Sequence, residues 1–373
     1  MALGVGAGFV LPEWAASVFS TFNGLFSGFL GFIIPLLIVG FVAPAIAEVG
    51  RGAGRMLAVT ALLAYLMTFA SGLLSFFTGA WIFPELIAGG SVSAATVAAS
   101  GGMSPEPYFT VEMPPLFGVM TALMLAFVMG LGMAFCGSVA LRRGFGEFRD
   151  IITRTIMTVI IPLLPLYIFG IFMEMTMAGQ VGPVLRTFVS IIGVIFVMHV
   201  VLLVVQFCVA GAVAGKNPLK MLRLMLPAYF TALGTQSSAA TIPVTLRRSE
   251  ATGVRPAVAG FVIPLCATIH MSGSTLKIVA CALALMIMQG MPWSVPMFAG
   301  FIAMLGITIV AAPGVPGGAI MASLGLLSSM LGFSEADNGL MIALYIAMDS
   351  FGTACNVTGD GAIALIVNRI FRK

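Results

Sequence analysis

Charge is what this chain lacks. Asp, Glu, Lys and Arg make up 8% of its 373 residues, where a soluble domain carries roughly 25%, so water is not the solvent for most of its surface. Histidine is scarcer still, with His199 and His270 only, and no histidine-rich metal site can be built. The net charge is a mere +4, with no basic run or basic-aromatic patch, which excludes nucleic acid as a partner. The five cysteines, Cys136, Cys208, Cys266, Cys281 and Cys355, all lie inside apolar stretches without metal-ligand spacing. Their side chains read as small apolar packing groups. The first residues show neither the charged n-region nor the cleavage site of a signal peptide.

What the chain has instead is apolar length: 60% hydrophobic residues and a mean hydropathy of +1.14. A spanning helix needs about 20 mostly apolar residues, and such runs fall at 20–48, 56–84, 115–140, 150–178, 186–214, 256–288 and 339–368. The expected fold is therefore an all-α polytopic membrane protein with about seven transmembrane helices. Two further stretches, 219–247 and 293–332, are too interrupted for simple spans. The first carries Thr235-Gln236-Ser237-Ser238-Ala239-Ala240-Thr241-Ile242-Pro243, the second Ala312-Pro313-Gly314-Val315-Pro316-Gly317-Gly318. Each reads as a re-entrant helical hairpin. Irregular backbone at membrane depth survives only inside protein or beside a watery cavity, and two such breaks point to a solute path.

Basic residues orient the chain, because short cytoplasmic loops hold Lys and Arg. Placing 49–55, 142–154, 216–223, 247–255 and 369–373 in the cytoplasm puts every Lys and Arg there except Arg186 and Lys277. Loop 85–114 has no basic residue and carries Glu85, Glu106 and Glu112, which makes it external. The first hairpin then enters from the cytoplasm and the second from outside, with opposed tips meeting near mid-membrane.

Two acidic residues lie inside the last apolar run, Asp349 and Asp360. A charge at the centre of a spanning helix costs at least ~2.5 kcal/mol, so these are functional candidates. Asp349, Thr353, Asn356 and Asp360 follow i, i+4, i+7, i+11 spacing and share one helical face; the plainer alternative is a polar seam gluing helices together. A second polar break, Thr268-Ile269-His270-Met271-Ser272-Gly273-Ser274-Thr275, interrupts 256–288. Gly273 there would let the helix unwind and expose carbonyls to a cation. His199, with no polar company in its run, reads as a packed core histidine.

The order of a Ser-rich hairpin, a broken helix, a Gly-Pro hairpin and Asp-x3-Thr-x2-Asn-Val-Thr-Gly-Asp resembles the dicarboxylate/amino acid:cation symporter family, the glutamate transporters and their neutral amino acid relatives. The likeness is dense over 219–368 and looser over 20–215. It implies that Asp349 accepts hydrogen bonds from a substrate α-ammonium. Thr353 and Asn356 would help to hold the substrate, and Ser237, Ser238, Ser274 and Val315 would complete its site. Cys266, Thr268, His270, Asn356 and Asp360, with Val310 and Ala312 on the second hairpin, would stand at the cation sites, largely through oxygen ligands that suit a hard ion. Gly314, Pro316 and Gly317 would form the external gate. No cofactor is implied beyond one or two coupled Na+ ions, a proton, or both. The partners implied are a small amino acid or dicarboxylate, the cation, the lipid bilayer and two further copies in a homotrimer.

Departures from the family pattern matter. Its broken-helix motif Asn-Met-Asp-Gly-Thr is here His270-Met271-Ser272-Gly273-Ser274, so the carboxylate and amide of a third sodium site are missing, and Leu62, Tyr65 and Leu66 stand where its Tyr/Thr/Ser set would be. Members that take acidic substrates have an Arg three residues after the ammonium-binding Asp; here that position is Gly352, and the hairpin position of another Arg is Gln236. Lys277 is an intramembrane lysine, a functional candidate in its own right. It could meet a substrate carboxylate, pair with Asp349 or Asp360, or snorkel to an interface.

The organisation implied is a scaffold at 1–55, whose first spanning helix is missing or truncated, and at 115–185. Helix 56–84 and residues 186–373 would form a transport domain holding both hairpins, the broken helix and the last helix, with 85–114 as the external loop. The expected function is symport by an elevator-like movement. A channel, a neutral amino acid carrier coupled only to protons, and an enzyme built on His270 with Ser272 or Ser274 are the rivals; the last has unremarkable spacing, and the chain is not expected to be an enzyme.

Overall fold

The computed structural model describes residues 2–51, 55–89, 105–179, 181–310 and 317–371, all of them helix or connecting loop. In chain order the helices are α1 (Ala2–Val10), α2 (Glu13–Arg51), α3 (Arg55–Gly89), α4 (Val119–Cys136), α5 (Val139–Thr155), α6 (Ile161–Met177), α7 (Val181–Ala214), α8 (Pro218–Thr235), α9 (Ser238–Ala251), α10 (Pro256–Ile269), α11 (Ser272–Met288), α12 (Val295–Val310), α13 (Gly318–Leu331), α14 (Glu335–Ala347) and α15 (Asp349–Ile370). A π-helical turn, Ile156–Ile160, joins α5 to α6.

Among the described residues, five stretches are long and apolar enough to cross a membrane: Glu13–Pro44, Arg55–Ile87, Val139–Met177, Phe188–Ala214 and Pro256–Met288. The pair α14 and α15 becomes a sixth if counted together, but it is bent by 63°. These match six of the runs read from the sequence; the seventh, 115–140, holds the 18-residue α4. The bend corrects one reading. Run 339–368 is not a single helix: the chain breaks at Met348 (φ −115°, ψ 10°), so Asp349 opens α15 instead of lying mid-helix.

Packing has two foci. Helix α2 packs on α4, α5 and α6, and α1 lies along α6, where Gly4 sits against the Phe169 backbone and Gly8 against Met173 and Thr176. Elsewhere α15 is surrounded by α7, α8, α9, α10 and α11, and α11 packs along α3. Helix α11 is buried from Ser272 through Met286, and α15 from Gly352 through Val367. The outer faces are apolar: Met124, Val128 and Phe135 on α4, and Val189, Val197, Val205 and Val209 on α7, are exposed. Such a surface suits hydrocarbon or the apolar face of another protein chain, not water.

Candidate functional site

Three chain breaks meet α15, two at its first turn and one further along it. The first lies between α8 and α9, which pack together as a hairpin. Its turn is short: Gln236 takes the left-handed conformation (φ 51°), and Ser237 caps α9 by accepting a hydrogen bond from the Ala240 N–H at 3.3 Å. From this tip the Gln236 amide donates to Ser350 Oγ at 2.8 Å, and Ser238 is buried beside it at the head of α9.

The second break separates α12 from α13. Candidates Ala312, Gly314, Val315 and Pro316 lie outside the described residues, and Val310 ends α12. Gly317 opens α13 at φ 75°, a left-handed conformation that glycine adopts without steric cost. Its backbone N–H donates to Asp349 Oδ2 at 2.8 Å.

The third break is the α10–α11 junction at His270-Met271, both in non-helical conformations. Here the role read for Gly273 is corrected. It lies within the first turn of α11, and a Cβ on it would stand 2.6 Å from the Gly352 carbonyl oxygen. The glycine permits close approach of α11 to α15; the unwinding is upstream. Asn356 exploits that approach. Its Oδ1 accepts from the N–H groups of Gly273 at 2.8 Å and Ser274 at 3.3 Å, while its Nδ2 donates to Ser274 Oγ at 3.0 Å. The amide thus serves donors that a helix start leaves unpaired.

Lys277, one to two turns further along α11, is fully buried, which rules out snorkelling. Its ammonium donates to Asp349 Oδ1 at 2.8 Å, reaches the Met348 carbonyl at 3.4 Å and lies 3.4 Å from the centroid of the Tyr345 ring. The Tyr345 hydroxyl in turn donates to Ser274 Oγ at 3.1 Å. A Cβ at Gly352 would lie 2.8 Å from Lys277 Cε and 2.9 Å from Nζ. The lysine therefore fills the space that glycine leaves on α15. Thr353 is buried on the same helix.

Two turns deeper, Asp360 Oδ1 and His270 Nδ1 are 2.9 Å apart, both residues nearly inaccessible. Thr268 closes the last turn of α10, its hydroxyl donating to the Leu265 carbonyl at 2.8 Å, and the Cys266 carbonyl accepts the His270 N–H at 2.8 Å. Of the expected cation-site residues, the structure thus brings His270 and Asp360 into direct contact.

Several participants escaped the sequence reading. Leu62 and Leu66 face outward, 58% and 49% exposed, so they do not line the broken helix. The oxygen-bearing face of α3 is Thr68, Ser71 and Ser75. Ser71 Oγ donates to the Ser272 carbonyl at 2.8 Å, Ser75 Oγ to the Leu276 carbonyl at 2.7 Å, and Thr68 Oγ1 accepts the Met271 N–H at 3.3 Å. Their i, i+3, i+7 spacing was the available signal. His199 also has polar company: its Nε2 lies 3.0 Å from the Gly273 carbonyl, and Gln206 Nε2 donates to Ser272 Oγ at 3.0 Å. A cavity of about 440 Å³ lies elsewhere, where Asn23, Tyr167 and Glu174 face Gln289, Glu335 and Asp337, and contains none of the residues singled out above.

Residues 1–370 match the model of the sodium:dicarboxylate symporter family. Among curated relatives, serine/threonine transporters SstT of Streptococcus thermophilus strains CNRZ 1066 and LMD-9 are each 28% identical over 373 residues, covering 96% of this chain and 91% of theirs. The apolar helices and the extent of these matches make the protein a multi-pass membrane transporter and not an enzyme; the chain belongs to the sodium:dicarboxylate symporter family.

Proposed function

We propose that this protein is a symporter for a small carboxylate substrate, either an amino acid, as the relatives' name has it, or a dicarboxylate, as the family's name has it. The substrate site lies at the first turns of α15, with Asp349, Gly352, Thr353 and Asn356 on that helix, Ser274 and Lys277 on α11, and Ser237 and Ser238 at the first hairpin tip. One observation carries this reading: the α8–α9 tip and the start of α13 both bond to the first turn of α15, where the buried Asp349 carboxylate pairs with Lys277 of the broken-helix segment α11. Irregular backbone and charge at such depth are costly unless they serve a path.

Cation coupling is assigned to the region of His270 and Asp360, with Cys266, Thr268 and Asn356 nearby, the ion being sodium, a proton or both. Helices α2, α4, α5 and α6 form the scaffold through which a trimer assembles. Helix α3 and the segment from α7 to α15 move as one body, gated by the hairpins; the α3 hydroxyls bonded to α11 support that grouping. The basic connections and the C-terminus face the cytoplasm.

The test is uptake into proteoliposomes of a labelled amino acid and dicarboxylate panel, with sodium and pH gradients imposed separately. Concentrative uptake that follows a cation gradient is the expected result. Single-channel currents without coupled accumulation would replace the symporter by a channel.

A further inference from the structure

We infer that Lys277 is a resident ammonium occupying the position where a substrate's α-ammonium would otherwise meet Asp349, so that the site takes carboxylates lacking an amine. The inference rests on the symport reading and narrows its substrate class.

Three observations carry it. First, both oxygens of Asp349 are engaged: Oδ1 accepts from the Lys277 ammonium at 2.8 Å and Oδ2 from the Gly317 N–H at 2.8 Å. Second, the ammonium is held from several sides, by the carboxylate, the Met348 carbonyl and the Tyr345 ring, and the lysine side chain has no exposed surface. Third, residue 352 leaves room for it, because a Cβ there would stand 2.8 Å from Lys277 Cε and 2.9 Å from Nζ. A side chain at 352 on α15 would have to push the lysine end away from this position.

The electrostatic consequence follows. A second ammonium brought to Asp349 would stand within a few ångströms of the first, and like charges at such range disfavour each other strongly away from water. Displacing the lysine instead would leave a buried charge without its partner. A substrate carrying only carboxylate, hydroxyl and carbon groups meets neither difficulty.

The experiment compares substrates differing only in the amine, succinate against aspartate and lactate against alanine, by uptake into proteoliposomes containing the full-length protein. The parent is expected to take the amine-free member at least tenfold faster at equal concentration. Lys277→Met frees Asp349 and is expected to invert each pair by about tenfold or more, the range of one charge-assisted hydrogen bond. Adding Asp349→Asn to Lys277→Met removes the freed carboxylate and should cancel the inversion. If Lys277→Met does not yield monodisperse protein, Gly352→Ala serves instead: its new methyl displaces the lysine end and should narrow the parent's preference. Uptake of aspartate or alanine by the parent, with succinate and lactate ignored, would overturn the lysine's role while leaving symport standing. Uptake of neither class would remove both.

Discussion

Gly273→Ala tests the close approach of α11 to α15 on which the site depends. The added methyl would stand 2.6 Å from the Gly352 carbonyl oxygen and 2.7 Å from Cys355 Cβ. One neighbour is backbone and the other a Cβ, so neither can swing aside. Restoring ordinary contact at 3.4 Å requires the helices to part by about 0.8 Å. The Asn356 hydrogen bonds to Gly273 and Ser274, now 2.8 and 3.3 Å, would then stretch past the range in which a hydrogen bond counts. Two buried bonds lost at about 0.5–1.5 kcal/mol each, with overpacking of about 1–3 kcal/mol, give a destabilisation of about 2 to 6 kcal/mol. The assay is thermal unfolding of the detergent-purified protein, paired with reconstituted uptake. Gly260→Ala on α10 is the control, since a Cβ there meets nothing within 4 Å and helix propensity favours alanine by up to about 1 kcal/mol. Equal stability of Gly273→Ala and the parent would refute the close-approach argument.

Four further outcomes are expected. Asp349→Asn strands the Lys277 ammonium and should destabilise by about 3–5 kcal/mol, most of which the double variant Lys277→Met/Asp349→Asn recovers; additive losses in thermal unfolding would mean the pair is not coupled. Gly317→Ala imposes a left-handed conformation on a Cβ-bearing residue, at about 1–2 kcal/mol, and unchanged stability would show that this turn is not held at φ 75°. Ser71→Ala and Ser75→Ala each remove a hydroxyl from a broken-helix carbonyl and should each cost about 1 kcal/mol; neutral values would detach α3 from that role. Asp360→Asn should abolish cation-dependent uptake while the protein stays monodisperse, and retained cation dependence would take Asp360 out of the coupling site.

How far the sequence was legible depended on the kind of signal. Charge and small polar residues stand out against an apolar background, so Asp349, Asp360, Lys277, the 268–275 break and the Gln236-Ser237 turn could all be found without coordinates. The α14–α15 bend could not, because Met348 and Asp349 bring no proline or glycine to mark a turn. The face of α3 was misread for another reason. Its apolar residues run all round the helix, so hydrophobic periodicity gives little to orient, and the short Thr68, Ser71 and Ser75 stripe that marks the inward side was passed over. Gly273 illustrates a third limit. A glycine beside a break is equally compatible with unwinding and with close packing, and only the position of the Gly352 carbonyl decides between them.

The hydrogen bond from Gly317 to Asp349 has a consequence for how this turn can be studied. Its donor is a peptide N–H, which every amino acid except proline supplies. The N–H itself needs no particular side chain, but the φ of 75° ties the position to glycine. The carboxylate end depends on the side chain itself, since Asp349 serves both the Gly317 N–H and the α11 ammonium. Asp349 is thus the side-chain end of this contact, while the Gly317 N–H can be removed outright only by proline or by an ester in place of the amide.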